Sequence, residues 1–283
     1  MLKIVTDGGA DMPAEWLDRY DIHILPLKIH FGEETYVQGE NLDSKKFYDL
    51  IIQKRVAPKT SLPSPAQIVA FYRNIASRGD RILSIHIGSR LSGTFEAVQL
   101  AARECAGEME VYPFDSLAGS AVLGFMCREA RLMERAGQSI DGIIQRLSEV
   151  RNHLTVIFTL DQTELAYLSG RISQLQNALA SLLNIKPVIV LRDGLLQMAD
   201  KVRTRRKSLD HVLEKVRQRI SGQEVDIAVV HAGDPATAQN LFDYIRQHFH
   251  VRNIFITELS LPVASHLGQG AVGIVAYPVH EGG

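Results

Sequence analysis

An α/β protein of two domains is what this sequence predicts, and three observations carry that expectation. The chain runs to 283 residues, where a domain typically has about 150. Hydrophobic residues make up 46% and mean hydropathy is near zero, so the chain has the apolar surface a core requires and disorder is excluded as its main state. Along the first half, short apolar runs alternate with amphipathic stretches, the pattern of parallel strands joined by crossover helices.

The elements follow in order. Ile4-Val5-Thr6 reads as a strand ending in the turn Asp7-Gly8-Gly9-Ala10-Asp11. A helix with Pro13 in its first turn then runs toward Tyr20, with Asp11 as its cap. Ser64 is expected to cap a helix beginning at Pro65, with Gln67 closing a capping box. Residues 82–87 form a strand, followed by Gly88-Ser89-Arg90-Leu91-Ser92-Gly93 and a helix through Cys105. Residues 110–114 form another, followed by Asp115-Ser116 and a long helix from Leu117 toward Arg135. A helix over residues 140–150 leads to a strand over residues 155–160.

The second half differs in texture, with the change near residues 160–175. Residues 187–191, the turn Arg192-Asp193-Gly194 and residues 195–198 read as a hairpin. A basic helix starts near Thr204, a strand spans residues 226–230, a helix follows Asp234-Pro235, and residues 254–257 and 272–277 are strands. The expectation is an N-terminal parallel-sheet α/β/α sandwich over residues 1–160 and a C-terminal α/β domain with a mixed sheet, helices on one face, over residues 161–283.

Charge and cysteine content exclude several classes. Lys and Arg number 31 and Asp and Glu 32, a formal charge of −1. A chain built to neutralise many phosphates carries a basic excess, so nucleic acid is not the expected partner. Cys105 and Cys127 are too few for a disulfide framework and lack metal-ligand spacing; they read as small buried hydrophobes, and no metal or cofactor is expected. No apolar run nears the ~18 residues that span a bilayer. The first residues lack the regions of a secretory signal, and residues 280–283 carry no lipidation signal. A cytoplasmic protein without stable membrane insertion is the expectation.

In open α/β sheets, ligands gather where strand ends meet helix starts. Three turns rich in Ser, Thr and Gly lie at such places: residues 7–11, 60–65 and 88–94. Their amides and hydroxyls suit an anion, phosphate or carboxylate. None has the Gly-Lys-Ser/Thr of a P-loop or the glycine spacing of a dinucleotide site. Ser64 is taken up by the helix cap, whereas Thr60 lies outside it, either a binding hydroxyl or one satisfied in the turn. Ser92 stands between a strand and a helix, yet Arg90 occupies the place where a nucleophile elbow needs glycine. His266 lies in Ala264-Ser265-His266-Leu267-Gly268-Gln269-Gly270, a glycine turn before the last strand that permits close backbone approach. Ser92 and His266 read equally as a hydrolytic pair or as two donors to a bound carboxylate, with no orienting acid to choose between them.

Together these strings resemble the DegV family of fatty-acid-binding proteins, which includes the binding subunits of bacterial fatty acid kinase. The family's Thr-Asp-Ser-x-x-Asp corresponds to Thr6-Asp7-Gly8-Gly9-Ala10-Asp11, its Thr-Ser-x-Pro-Ser-Pro to residues 60–65, and its Leu-Ser-Gly-Thr to Leu91-Ser92-Gly93-Thr94. Asp115-Ser116, Gly170-Arg171-Ile172, Lys186-Pro187, Lys201-Val202-Arg203-Thr204 and the His-x-Gly-x-Gly of residues 266–270 continue the match in order. Gly8 replaces the family's serine, and Gln269 its usual proline.

The resemblance implies two α/β domains and one long-chain fatty acid, its tail in an apolar tunnel and its carboxylate on hydroxyls and a histidine. Those contacts carry over to Thr60, Ser92 and His266, with Ser61 the next candidate. It also implies that the chain is a carrier and not an enzyme, presenting the acid to a separate fatty acid kinase that makes the acyl phosphate. A tail of about fifteen methylenes at ~0.8 kcal/mol each would supply most of the affinity, and charge-assisted hydrogen bonds would orient the head group. Residues 201–207 hold five cations, either a solvated helix start or a docking patch for an acidic partner face or a product phosphate. Arg171 and Arg203 are the candidate partner contacts, Arg171 reading equally as an ion-pair residue between domains. Two other readings stand beside the carrier: a Ser92/His266 acyl hydrolase or transferase, and a kinase-like module related to dihydroxyacetone kinase.

Overall fold

Ile4, Val5 and Thr6, β-branched residues that favour extended backbone, form the middle of strand β1 (Leu2–Asp7) in this computed structural model, which describes residues 1–172 and 185–279. The chain divides into two units, Met1–Arg151 with Ser260–Pro262, and Asn152–Leu259 with Val263–Gly283.

In the first unit, helix α1 (Glu15–Arg19) joins β1 to β2 (Ile22–Leu25). An antiparallel excursion follows: β3 (Lys28–Phe31), β4 (Glu34–Val37), α2 (Ser44–Lys54) and β5 (Lys59–Ser61), its strands ordered β4-β3-β5. Then come α3 (Pro65–Ile75), β6 (Arg81–His86), α4 (Thr94–Glu104), β7 (Glu110–Asp115), α5 (Ala121–Arg135) and α6 (Ile140–His153). The main sheet is parallel throughout, in the order β2-β1-β6-β7. Val5, Leu25 and Ile82 on one face pack with Ile68 and Tyr72 of α3 and Val98 of α4. α5 packs on β1 and β6, with Cys127 against Thr6, whose side chain points away from the face of Val5. The result is the expected α/β/α sandwich. Ser64 caps α3, and the Gln67 side chain accepts from Ser64 N at 2.9 Å, which completes the capping box read in the sequence.

Two local expectations are corrected. Asp11 does not cap α1, whose N-cap is Ala14 without a side-chain bond; its buried carboxylate is occupied elsewhere. α5 begins at Ala121 and not at Leu117. Residues 117–120 are held by neighbouring turns instead, with Gly88 N donating to Ala118 O at 2.7 Å and Ser120 N to Gly9 O at 2.9 Å. Leu117 and Ser120 take positive φ, outside the right-handed helical region, so the helix proper starts only after them, with Ser120 as its N-cap.

The second unit contains β8 (Thr155–Thr159), α7 (Glu164–Ser169), β9 (Lys186–Arg192), β10 (Leu195–Val202), α8 (Arg205–Ile220), β11 (Val225–His231), α9 (Pro235–His248), β12 (Val251–Glu258), most of α10 (Leu261–Leu267) and β13 (Val272–Pro278). Its sheet runs β10-β9-β8-β13-β11-β12, with β11 and β12 parallel and every other pair antiparallel. The β9–β10 hairpin turns through Asp193 (φ 49°) and Gly194 (φ 77°), the left-handed pair of a type I′ turn. Val212, Val216 and Ile220 of α8, four residues apart, share one core with Leu241 and Ile245 of α9 and Ile227 of β11, so both helices cover the same face. The mixed sheet with helices on one face is as the sequence predicts. Both cysteines are buried. Among the described residues no helix is long and apolar enough to cross a membrane; residues 280–283 lie outside them.

Candidate functional site

Thr60 and Ser61 lie on β5, and adjacent strand residues point to opposite faces. Ser61 Oγ is 2.7 Å from His30 Nε2, whose Nδ1 meets Thr35 Oγ1 at 3.0 Å, so the Ser61 hydroxyl is committed across the small sheet. Thr60, half-buried and paired opposite Ile29, turns the other way. Just beyond it the chain meets the turn before α4: a Cβ on Gly93 would stand 3.4 Å from Leu62 Cδ2. In that turn Ser92 Oγ lies 2.9 Å from Thr94 Oγ1 and accepts from Thr94 N at 3.3 Å. The first unit thus brings residues 60–62 and the Ser92 turn together.

This seat is braced from several sides. A Cβ on Gly88 would fall 2.8 Å from Leu117 C, so glycine is what lets the two loops touch. Asp115 Oδ1 accepts from Ser89 N at 3.1 Å and Leu117 N at 3.0 Å, which gives the Asp115-Ser116 motif a structural reason. Asp11, 2% exposed, accepts from Ser260 N at 2.6 Å and from the Ser120 hydroxyl. Burial pushes its carboxyl up to about 6 against the pull of those bonds. Gly8 donates its N–H to Leu25 O at 2.9 Å, and a Cβ there would lie 3.2 Å from Leu27 N.

Beneath the turn runs a set of residues that sequence reading did not single out. The buried carboxylate of Asp7 accepts from Gly9 N and Ile87 N, each at 2.9 Å, and meets His86 Nδ1 at 3.0 Å. His86 Nε2 is 2.7 Å from Ser84 Oγ, which is 2.7 Å from Tyr72 OH. Burial drives the Tyr72 hydroxyl pKa upward. The available signal was Ser84 and His86 at alternate positions of a strand otherwise apolar on that face.

In the second unit, His266 sits in the last turn of α10 and not in the glycine turn, a correction with a simple cause. Pro262 suits a first helical turn, and Gly268 (φ +81°) ends the helix with its N–H on Ala264 O at 2.9 Å. Burial lowers the His266 pKa to about 4, and the nearby Arg171 charge acts in the same direction, so the imidazole is neutral at pH 7. The glycine turn behind it is clamped. A Cβ on Gly270 would be 2.7 Å from Asp161 Cβ, and Lys186 Nζ holds Asp161 Oδ1 at 2.7 Å. Arg205 Nη2 reaches Gly270 O at 2.6 Å and Asp234 Oδ2 at 3.0 Å. Of the five cations in residues 201–207, Arg205 is therefore tied inward, while Lys201, Arg203, Arg206 and Lys207 are exposed. Thr204 caps α8. Arg171, exposed, follows Gly170, whose φ of 70° ends α7; Gln269 is exposed as well.

Among the described residues no group of three or more His, Cys, Asp or Glu is arranged to hold a metal ion. A cavity of about 210 Å³ on the second unit's sheet is lined by Leu154, Ile157, Val190, Arg192, Lys215 and Arg219 among others, none of them a predicted site residue.

A family model described as "Uncharacterised protein, DegV family" matches residues 1–279. The DegV family protein of Thermus thermophilus, solved in connection with fatty acid binding, is 29% identical with a TM-score of 0.89, covering 98% of this chain and 99% of that one. DegV of Bacillus subtilis, a fatty acid binding protein, is 30% identical with a TM-score of 0.88 and the same coverage, 98% and 99%. The fatty acid kinase B3 protein of Streptococcus pneumoniae, loaded with linoleic acid, shares the fold at 21% identity, with a TM-score of 0.83 over 99% of this chain and 100% of that one.

Proposed function

This chain belongs to the DegV family, and from that premise we propose that it binds one long-chain fatty acid and presents it to a separate fatty acid kinase. The observation that carries the reading is the end-to-end match, 30% identical over 98% of the chain, to a fatty acid binding protein. The carboxylate is held by the hydroxyls of Thr60 and Ser92 and by the imidazole of His266. Ser61 is the weaker member of the set, since its hydroxyl already engages His30. A neutral imidazole donates one N–H to a carboxylate and brings no charge of its own to be desolvated. The acyl tail supplies most of the affinity by leaving water.

The chain itself performs no chemistry in this reading; the kinase, in the cytoplasm, makes the acyl phosphate. That step rests on the family resemblance and on the shared fold of the kinase B3 protein. Arg203 and Arg171, both exposed, are the proposed contacts for an acidic face of the kinase, whereas Arg205 is held by Asp234 and Gly270. Protein purified from a bacterial host should release a long-chain fatty acid on denaturing extraction, identified by mass spectrometry. A chain that is empty and also refuses added palmitate or oleate overturns the reading. Covalent labelling of Ser92 by a serine-directed fluorophosphonate would favour an acyl hydrolase or transferase instead.

A further inference from the structure

The buried series Asp7, His86, Ser84 and Tyr72 takes no part in the site as proposed. Ser84, His86 and Asp7 are strung in the order of a hydrolase triad, but Ser84 is fully buried between His86 Nε2 and Tyr72 OH, so no carbonyl can reach its oxygen. Its donors and acceptors point to a different role. Gly9 N and Ile87 N can only donate, so Asp7 must accept at both oxygens, and His86 must turn an Nδ1–H toward it. His86 Nε2 then accepts from the Ser84 hydroxyl, and Ser84 accepts from Tyr72, leaving every donor paired. Ile87 N is the first amide beyond β6, and the turn it opens closes with Ser92 N on Gly88 O at 3.1 Å.

We propose that Asp7, oriented by His86, is a positioning residue for Ser92: its carboxylate ties the turn after β1 to the turn after β6 and so sets where the Ser92 hydroxyl stands. The inference rests on the reading that Ser92 holds the ligand's carboxylate. It concerns a residue that touches no ligand, and its effect must pass through the 87–92 backbone.

The experiment combines amide hydrogen exchange with oleate binding. In Asp7→Ala the Ile87 and Ser92 amides should exchange at least about tenfold faster, the scale expected when buried donors lose their acceptor, and the oleate Kd should rise up to about fivefold, no more than loss of the Ser92 hydroxyl itself costs. In a Ser92→Ala background the same Asp7→Ala change should leave the Kd within about 1.5-fold, because its path has been cut. Asp7→Asn keeps one oxygen, so it should recover oleate binding when that oxygen faces Ile87. Whichever way its amide lies, either Gly9 or Ile87 loses protection. If the alanine variant does not fold, that Asn result decides: unchanged protection at both amides overturns the inference. So do equal losses of affinity with and without Ser92. Wild-type protein that binds no oleate refutes the functional reading, and the exchange rates alone then decide the positioning claim. Wild-type that binds oleate beside an Asp7→Ala variant of equal Kd refutes this inference alone.

Discussion

In the first unit, Thr60 stands on the β3–β5 ladder, while buried carboxylates accept from loop amides, Asp7 from Ile87 N at the start of the Ser92 turn and Asp11 from Ser260 N. In the second, His266 stands on a seven-residue helix behind which ion pairs that water reaches, Lys186–Asp161 and Arg205–Asp234, clamp a glycine turn. The contrast separates two ways of placing a polar contact. A buried carboxylate bonded to amides is shielded from salt but sensitive to its own protonation, whereas half-exposed ion pairs are screened and individually weak. The stability of the first unit should therefore answer to pH through Asp11, and His266 through the state of its own imidazole.

The largest expected effect belongs to Asp11. Its folded value, about 6, lies above the ordinary 3.8, so it binds a proton on folding. The stability this confers is complete below the ordinary value and is lost as pH rises through about 6. A shift of that size corresponds to about 3 kcal/mol. Asp11→Asn, which can still accept from Ser260 N and can donate to Ser120, carries no such cost. Urea unfolding should show the variant gaining on wild type by that order between pH 4 and pH 7; a constant difference contradicts the assigned burial. His266 acts in the opposite direction, contributing stability above its ordinary 6.5 that is lost as pH falls toward about 4. It is common to both proteins and cancels in the comparison.

Next in size is the histidine itself. His266→Ala should weaken oleate retention by roughly 10- to 100-fold, the range for losing a hydrogen bond to a charged group. The exposed His153→Ala should stay within about twofold, and equal effects would break the assignment of the head group. Smallest are the hydroxyls. Thr60→Ala and Ser92→Ala should each cost about fivefold in Kd, near 1 kcal/mol. Ser61→Ala should cost less, since its partner is His30; a Ser61 effect larger than that of Thr60 would reverse the roles of the two faces of β5.

Much of this fold is legible from residue order. Short runs rich in Ile, Val and Leu mark β1, β6 and β11, the Ser64/Gln67 pair marks α3, and Asp193-Gly194 marks the hairpin, because each rests on chemistry within a few residues. Features that depend on distant partners are not legible that way. The β3–β5 sheet is built from strands of three or four residues, too short for a period to appear, and carries charged Lys28 and Glu34. β8 pairs with β13, more than a hundred residues later, and nothing near Thr155 announces it. His266 reads as part of a turn because seven residues with one proline show no helical repeat. Ser84 and His86 read as ordinary strand residues until the pairing of Val5 with Ser84 places β6 beside β1 and Asp7 within reach. The motif residues themselves were visible. Their division of labour, with Thr60 turned away from the committed Ser61 and Arg205 tied inward beside exposed Arg203, needed the register and the helix ends.

The central claim is that a fatty acid carboxylate rests on neutral hydroxyls and the His266 imidazole. Carbon-13 NMR of oleate labelled at its carboxyl carbon tests it most directly. The account predicts a bound resonance distinct from free oleate, one that does not titrate between about pH 5 and 8 although a free carboxyl does so at the lower end. That resonance should move in His266→Ala and stay in place in His153→Ala. A resonance that titrates like the free acid and ignores both substitutions would contradict the account.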